Sequence, residues 1–327
     1  MNNKGQHTVT RAYIEGFVDP ATPSGMEPYV WVHERGANEP FRKAPKKLTV
    51  RSDYYAFREP SGERNLAAEV LLGHFEGPAI PVLRALSSGR PPSDLSEQER
   101  ATFAFFVALL AVRVPRFRDH IEHMVGDIAK HLHQTAASNP PYYERLMRDA
   151  HQSKGLEPPD DIEAIRQFAL AGDYDVRGAP MHSLQVMVTT APRIAYYVDC
   201  CQWRVLEAPN GAAFVTSDGP LVQVTTSTYA PRWGGVGWET PYMEATLPLT
   251  PSSCLLLSMH HPEGRERVSP GIVREVNART AAHALEQVYT SRRIDPRELE
   301  PAPRQRHWRP VTDALREPAT DDGSDTK

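Results

Sequence analysis

The sequence has few cysteines, little excess of either charge and no recognised cofactor motif. Its three cysteines, Cys200, Cys201 and Cys254, lack the C-x-x-C spacing of zinc and redox sites. An odd number without that spacing is typical of reduced thiols, so we expect a cytoplasmic protein. A formal net charge of −4 over 327 residues gives no global electrostatic case for binding nucleic acid or acidic membranes.

Membrane and secretion signals are also absent from the sequence. The longest apolar run, residues 103–112, is too short to cross a bilayer and suits a buried helix. The first residues lack the basic start and apolar stretch of a signal peptide, so we expect no membrane partner. Walker A, G-x-G-x-x-G, G-x-S-x-G and H-E-x-x-H motifs are missing, which leaves nucleotide-cofactor, α/β-hydrolase and zinc-protease functions without support.

The order of the predicted elements indicates an α+β fold. Two strands, in "PYVWVHERG" and "KKLTVRSDYYAF", precede a helical middle. One helix is predicted from about residue 65, and a second over 80–86 after a Gly-Pro break. Four strands of one antiparallel sheet then precede a last helix over 270–291.

The strongest helical pattern runs from about residue 97 to residue 134. Ser96 is a good N-cap, and Pro115 predicts a kink or break near Arg113. We expect this long central helix to pack on the C-terminal sheet, beside a small N-terminal strand pair. The predicted organisation is a single domain over residues 1–295 and a mostly disordered tail over 301–327, which is rich in Pro, Asp and Ser.

Arg113 is the first candidate site residue because it follows ten consecutive apolar residues. A guanidinium carried by a buried helix must be paired or must open onto a cleft. Its partner is either a carboxylate in a structural ion pair or a bound anion. Glu69 and Glu76 lie seven residues apart on one predicted helix, which fits two carboxylates in one cleft and also fits a solvated face.

The stretch "FVTSDGPLVQV", residues 214–224, interrupts a predicted strand with a dense turn signal. Asp218 is either a turn former or a carboxylate delivered to a site, in which case it points inward toward Arg113 or His7. Gly219 is expected to allow a tight turn. His7 precedes the predicted first helix, where the helix dipole keeps an imidazole neutral and usable as a base, unless it only caps that helix.

A basic stretch, "FRKAPKKLTVR", lies beside aromatic residues. It suits a polyanion, bound through phosphate contacts and stacking. A strand edge protected by lysines gives the same pattern. Nucleic acid therefore stays open as a partner, next to a small-molecule or polyanionic substrate.

In their order and spacing these residues resemble the bacterial and fungal family called domain of unknown function 4238. The family opens with His-x-Val-Pro-x-x-Tyr-Leu-x-x-Phe, which corresponds to "HTVTRAYIEGF" with Thr10 in place of the proline. Other similar features are the paired glutamates, an Arg-x-Pro at the end of a buried helix and a Ser-Asp-Asn-Pro turn in which Gly219 replaces the asparagine. The resemblance covers roughly residues 6–292 and implies a fold and a set of positions, not a reaction.

Three functions fit these residues. The first is a hydrolase or transferase acting on a phosphoester or acyl substrate, with candidate catalytic and ligand-binding residues His7, Glu76, Asp218, Arg113, Glu69 and Ser217. No base flanks Ser217, so this hypothesis calls for an activated water or a divalent metal ion. The second is a non-catalytic binding module for a small anionic ligand, peptide or nucleotide. The third is a buried polar network that only fixes the packing.

Overall fold

The computed structural model describes residues 5–52, 54–55, 57–58, 64–65, 67–225, 236–299 and 311. The described helices are α1 Arg11–Ile14, α2 Ala67–Ser87, α3 Glu97–Val112, α4 Pro115–Ala137, α5 Pro140–Gln152, α6 Ile162–Ala171, α7 Pro180–Cys200 and α8 Pro270–His283. The described strands are β1 Gly5–His7, β2 Val30–Glu34, β3 Phe41–Lys43, β4 Val50–Ser52, β5 Phe57–Arg58, β6 Arg64–Asn65, β7 Gln202–Glu207, β8 Thr216–Ser217, β9 Val222–Val224, β10 Glu244–Thr250, β11 Ser253–Ser258, β12 Gly264–Arg267 and β13 Gln287–Thr290.

The chain divides into two compact units. A strand-bearing unit comprises residues 1–116 and 187–327, and a helical unit comprises residues 117–186. Helices combined with mostly antiparallel sheets make this an α+β protein, which confirms the predicted class. The single domain over 1–295 stays a prediction. The tail over 301–327 lies outside the described residues except for Val311, which is buried.

Two main sheets form the strand-bearing unit. One has the strand order β12-β7-β11-β10-β9, in which β12 is parallel to β7 and the other pairs are antiparallel. The other has the order β3-β2-β13-β8 and joins strands from both ends of the sequence. The predicted C-terminal antiparallel sheet is present, since β7, β9, β10 and β11 all belong to the five-stranded sheet, but β8 pairs with β13 in the other sheet. A small N-terminal strand pair is also present and is formed by β1 and β4, whereas β2 pairs with β3 and β13.

Two predicted helix boundaries are wrong. Helix α2 continues through Pro78, where the sequence predicted a break, and through Pro81. Packing against α3 offsets the backbone hydrogen bonds that the two prolines remove. Helix α8 ends at His283, and Gln287–Thr290 is strand β13 instead of helix. The last three residues of this strand, Val288, Tyr289 and Thr290, are β-branched or aromatic, and pairing with β2 and β8 buries them.

The predicted start and break of the central helix are confirmed. Ser96 forms a capping box, in which its hydroxyl accepts from the Glu99 amide and the Glu99 side chain accepts from the Ser96 amide. Helix α3 ends at Val112, Arg113 is its C-cap residue, and α4 begins at Pro115. The ring of Phe103 lies 5.8 Å from that of Trp203 in β7, so α3 packs against the five-stranded sheet.

Helix α8 covers the same sheet and carries a buried ion pair. Arg279 is fully buried and contacts the Glu244 carboxylate of β10 at 3.0 Å. The same carboxylate accepts a hydrogen bond of 2.9 Å from the backbone N–H of Val311. Val311 packs among apolar residues of α8 and the sheet. A buried charge without its partner is very costly, so this pair ties α8, β10 and Val311 into one unit.

Replacing Glu244 with Gln removes the buried carboxylate from Arg279 and leaves its guanidinium with only the partly exposed Glu275 carboxylate, 3.2 Å from its Nε. We expect the free energy of unfolding to fall by about 3 kcal/mol or more. Urea unfolding measures it, with Glu144→Gln as the control because that residue forms an exposed pair with Arg148. The control should change stability by less than about 1 kcal/mol. Equal effects of the two substitutions would contradict the importance of the buried pair.

Candidate functional site

His7 lies at the end of strand β1, where it pairs with Val50 of β4. Its Nδ1 is 3.0 Å from the carbonyl oxygen of Leu48. A carbonyl oxygen only accepts, so Nδ1 carries the proton and Nε2 keeps a lone pair. Within the described part of the chain no other group hydrogen-bonds the ring, which is half-buried. The ring is therefore held in the tautomer that a general base needs.

The residue after Leu48 adopts a strained backbone conformation. Thr49 has a φ of 54°, in the left-handed region that β-branched residues rarely enter. Its hydroxyl donates to the carbonyl oxygens of Val9 at 2.9 Å and Leu48 at 2.7 Å. Such strain costs roughly 1–3 kcal/mol and clusters at functional sites. Here it occurs next to the carbonyl that orients His7.

Burial lowers the pKa of His7 below its ordinary value of 6.5, and the positive charges of Arg113 and Arg11 act in the same direction. The hydrogen bond to the Leu48 carbonyl acts in the opposite direction. A neutral ring at pH 7 is the state expected from the sequence, although the cause differs. His7 lies on a strand, and the first helix begins only at Arg11, so the helix dipole is not the cause.

Arg113 is 5% exposed and contacts three different elements. Its Nη1 forms an ion pair with the Glu76 carboxylate of α2. Its Nε donates to the Tyr55 hydroxyl at 3.0 Å, and its Nη2 donates to the His7 carbonyl oxygen at 2.7 Å. The guanidinium also lies 5.2 Å from the centre of the Tyr55 ring. Of the two interpretations left open by the sequence, these contacts match the ion pair.

The structure thus brings together His7, Glu76 and Arg113. The side chain of Glu69 lies outside the described residues. Two members of the cluster were missed in the sequence: Tyr55 and Gln6, whose Oε1 accepts from the Tyr55 backbone N–H at 2.5 Å. The sequence placed Tyr55 in the second predicted strand and among the aromatic residues beside the basic stretch, not with Arg113, and a single glutamine beside His7 carries no signal.

Asp218 is buried and points inward, but toward neither His7 nor Arg113. Its carboxylate accepts three backbone hydrogen bonds, from Leu285 at 2.8 Å, Glu286 at 2.7 Å and Gln287 at 3.1 Å. Burial raises the pKa of the Asp218 carboxyl, and these three N–H donors act in the opposite direction. The carboxylate therefore fastens the connection between α8 and β13, and the expected contact with Arg113 or His7 is wrong.

The turn that contains Asp218 carries the chain from one sheet to the other. Strand β8 belongs to the four-stranded sheet and β9 to the five-stranded sheet, so the turn is not a solvent hairpin. Ser217 is fully buried, and its hydroxyl accepts from the Gly219 amide at 3.2 Å. Gly219 has no positive φ, and a Cβ there would lie 3.7 Å from the nearest atom. The expectation that glycine is needed at this turn is therefore wrong.

Tyr13 gives the opening signature a structural role that the sequence did not reveal. This fully buried residue donates from its hydroxyl to the Pro248 carbonyl oxygen of β10 at 2.6 Å. The Tyr13 hydroxyl oxygen also lies 2.7 Å from the Thr216 hydroxyl of β8. Burial raises the pKa of the Tyr13 hydroxyl, which keeps it a donor. One phenol therefore links β8 and β10, which belong to different sheets.

Strand β3, which begins the basic stretch, lies at the edge of the four-stranded sheet. Arg42 of β3 packs its guanidinium 4.9 Å from the Tyr29 ring and 4.8 Å from the Trp31 ring. Lys46 pairs with Glu27 at 2.5 Å. These contacts within the protein match the interpretation as a protected strand edge.

The described cavities are lined by other residues. One of them, of about 1120 Å³, lies between residues 33–40 and 281–299. In the described part of the chain, no three His, Cys, Asp or Glu side chains are grouped so as to hold a metal ion. No helix there is long and apolar enough to cross a membrane.

Comparison with known proteins assigns the chain to a family. The model of the family described as "Protein of unknown function (DUF4238)" matches residues 5–293, which is most of the chain. The protein therefore belongs to this family, as its sequence resemblance predicts. The matched region includes His7, Glu76, Arg113 and Asp218. No curated protein and no solved structure matches the chain.

Removing the Asp218 carboxylate leaves three backbone amides without their acceptor. We expect Asp218→Ala to lower the free energy of unfolding by about 3 kcal/mol, since each unsatisfied buried donor costs about 1–3 kcal/mol. Urea denaturation measures the loss, and Asp160→Ala, at an exposed position, is the control. A loss no greater than that of the control would refute the role of Asp218 in fastening β13.

Stability should depend on pH below about 6.5. Burial lowers the pKa of His7, His33 and His283 below 6.5, their value in the unfolded chain. Above that pH these three histidines are neutral in both the folded protein and the unfolded chain. As the pH falls from 6.5 toward 5, these histidines bind more protons in the unfolded chain than in the folded protein. The free energy of unfolding therefore decreases. Urea midpoints measured across this range test the prediction, and a constant midpoint would contradict it.

Proposed function

We propose that this protein is a hydrolase or transferase that acts on a phosphoester or acyl substrate with His7 as its general base. The observation that carries the proposal is the hydrogen bond of 3.0 Å between His7 Nδ1 and the Leu48 carbonyl oxygen. It holds the ring in the neutral form whose Nε2 lone pair accepts a proton. The lowered pKa of His7 keeps that form at neutral pH.

The chemistry requires only this imidazole and a water molecule or substrate hydroxyl. His7 Nε2 takes a proton from the nucleophile as its oxygen bonds to the phosphorus or acyl carbon. The bond to the leaving group then breaks, and the imidazolium returns the proton to the leaving oxygen. In hydrolysis the nucleophile is water. In group transfer it is the hydroxyl of an acceptor.

Arg113 and Glu76 act as positioning residues in this proposal. Arg113 holds the His7 carbonyl from behind the strand, while the Glu76 carboxylate balances its charge. Three of the five guanidinium N–H donors are engaged by protein groups, so the guanidinium serves mainly to fix the strand that carries the base. The positive charge of Arg113 also lowers the pKa of His7.

The proposal extends to the setting of the reaction. The three cysteines are free thiols, two of them buried, which fits a reducing cytoplasm. The substrate is a small molecule or a polyanion, and a divalent metal ion bound together with the substrate stays compatible with a histidine base.

The test is a substrate panel of phosphomonoesters, phosphodiesters and carboxylic esters, assayed with and without Mg²⁺ or Mn²⁺. His7→Asn is the informative variant, because the asparagine amide keeps an N–H donor for the Leu48 carbonyl but has no nitrogen at the position of Nε2. We expect turnover to fall by about 100-fold or more, the typical loss of a general base.

The control substitutes a histidine that makes the same type of backbone contact elsewhere. His151 Nδ1 lies 2.8 Å from the Met147 carbonyl oxygen in α5, and His151→Asn should leave turnover unchanged. Thermal unfolding of both variants separates loss of catalysis from loss of fold. Full turnover by His7→Asn would refute the proposed base. A ligand bound tightly without turnover by the wild-type protein would instead indicate the binding module.

A further inference from the structure

A cavity of about 490 Å³ lies beside helix α8, and His7 is not among its lining residues. Its walls are one face of α8, the segment 210–215 that precedes β8, and residues between 290 and 299 that follow from β13. All three walls belong to the strand-bearing unit. Small-molecule sites usually have volumes of roughly 300–1,000 Å³, so this space, the α8 cavity, has room for a small ligand.

Side-chain hydrogen bonds hold one wall of the α8 cavity in place. Asn277 of α8 donates from Nδ2 to the Ala213 carbonyl oxygen at 2.8 Å, and its Oδ1 accepts from the Val215 backbone N–H at 3.0 Å. Arg292 Nη2 donates to the Gly211 carbonyl oxygen at 3.2 Å. These contacts fix the segment 210–215 to α8 and to the chain after β13, so the cavity keeps its shape without a ligand.

Much of the lining of the α8 cavity is apolar. Phe214 is fully buried, and Val215, Val273 and Leu299 are at least nine-tenths buried. A ligand with an apolar body removes such surface from water, which favours binding through the hydrophobic effect. The lining therefore indicates a ligand that is at least partly apolar.

One buried polar side chain in the lining lacks a partner. Ser291 is 8% exposed, and its hydroxyl makes no hydrogen bond with the described residues. The hydroxyl of the neighbouring Thr290, by contrast, donates to the Arg292 carbonyl oxygen at 2.7 Å. Buried polar side chains are usually hydrogen-bonded, so an unused hydroxyl at a cavity wall points to a ligand that accepts its proton.

The charged side chains of the lining favour an anion. Arg274 and Arg292 each contribute a guanidinium group, against the carboxylate of Glu298. Arg274 forms no hydrogen bond or ion pair within the part of the chain that the structure describes, whereas Glu298 accepts from the Asp295 backbone N–H at 3.2 Å. A guanidinium fork matches a carboxylate group. The surplus of one positive charge also suits a carboxylate better than a phosphate monoester, which carries about −1.5 to −2 at pH 7.

We propose that the α8 cavity binds a small organic monocarboxylate. The carboxylate group lies between Arg274 and Arg292 and accepts a hydrogen bond from the Ser291 hydroxyl. The apolar body of the ligand packs against Phe214 and Val273. Binding here requires none of the residues assigned to the proposed reaction.

Titration of the full chain with benzoate up to about 10 mM tests the site, with NMR of the methyl groups of Val273, Ile294 and Leu299 as the readout. We expect these methyl signals to shift together with a Kd of about 1 mM, which is within reach of a ligand of about nine non-hydrogen atoms. Benzyl alcohol keeps the ring but lacks the charge, so its Kd should be at least about 10-fold higher. Absence of a methyl shift over this range, or equal binding of the alcohol, would overturn the proposal.

Two substitutions assign the binding to the polar groups of the cavity. Arg274→Gln removes a guanidinium that makes no contact the fold uses among the described residues, and Ser291→Ala removes the unused hydroxyl. Each should raise the Kd for benzoate by about 10-fold or more. Arg267→Gln, at an exposed arginine of β12 outside the lining, is the matched control and should leave the Kd unchanged. Thermal unfolding checks that the variants are folded, and a Kd unchanged in either cavity variant would contradict the site.

Discussion

The burial of one guanidinium group fixes the geometry of the candidate site. Arg113 stands at the end of an apolar helix, where hydration is lost and must be replaced by protein groups. Its partners come from three other parts of the chain, Glu76, Tyr55 and the carbonyl of His7. The helix break at Pro115 places the guanidinium at a helix end, where it reaches all three. This cluster holds the carbonyl of His7 in addition to the pairing of β1 with β4.

A second polar centre joins the two sheets and is made from different residues. Asp218 binds the amides that begin β13, and Tyr13 links β8 with β10. Both side chains hydrogen-bond protein groups and stabilise the fold, so they are not available to bind a substrate. The order of residues along a family signature therefore does not require that all of them serve one site. His7 and Tyr13 lie on one signature segment and serve different centres.

Local patterns predicted much of the fold, including the capping box at Ser96, the break at Pro115 and most of the helices. Local patterns failed to predict which strands pair when the strands lie far apart in the sequence. Strands β8 and β9 read as one interrupted strand in the sequence, yet they belong to different sheets. Strand β13 pairs with β2, more than 250 residues away. Pairing over such distances depends on the whole core, and no local period encodes it.

The same limit explains the site. The sequence identified Arg113 and Glu76, because a charge inside an apolar helix requires a partner. It could not show which carboxylate binds Arg113, nor that Asp218 binds backbone amides instead. Backbone groups occur at every residue, so a contact with them leaves no mark in the sequence. The contact of Tyr55 with Arg113 and the role of Gln6 were missed for a similar reason, since such contacts over long sequence distances leave no characteristic pattern.

The distribution of energetic costs distinguishes His7 from the other polar residues. The ion pair of Glu244 and Arg279 and the carboxylate of Asp218 are satisfied by their partners and support the fold. His7 instead loses hydration without gaining a partner for Nε2 among the described residues, and Thr49 beside it holds a strained backbone. Both features reduce stability. Backbone strain and shifted protonation equilibria cluster at functional sites, which supports the proposal that His7 is the general base.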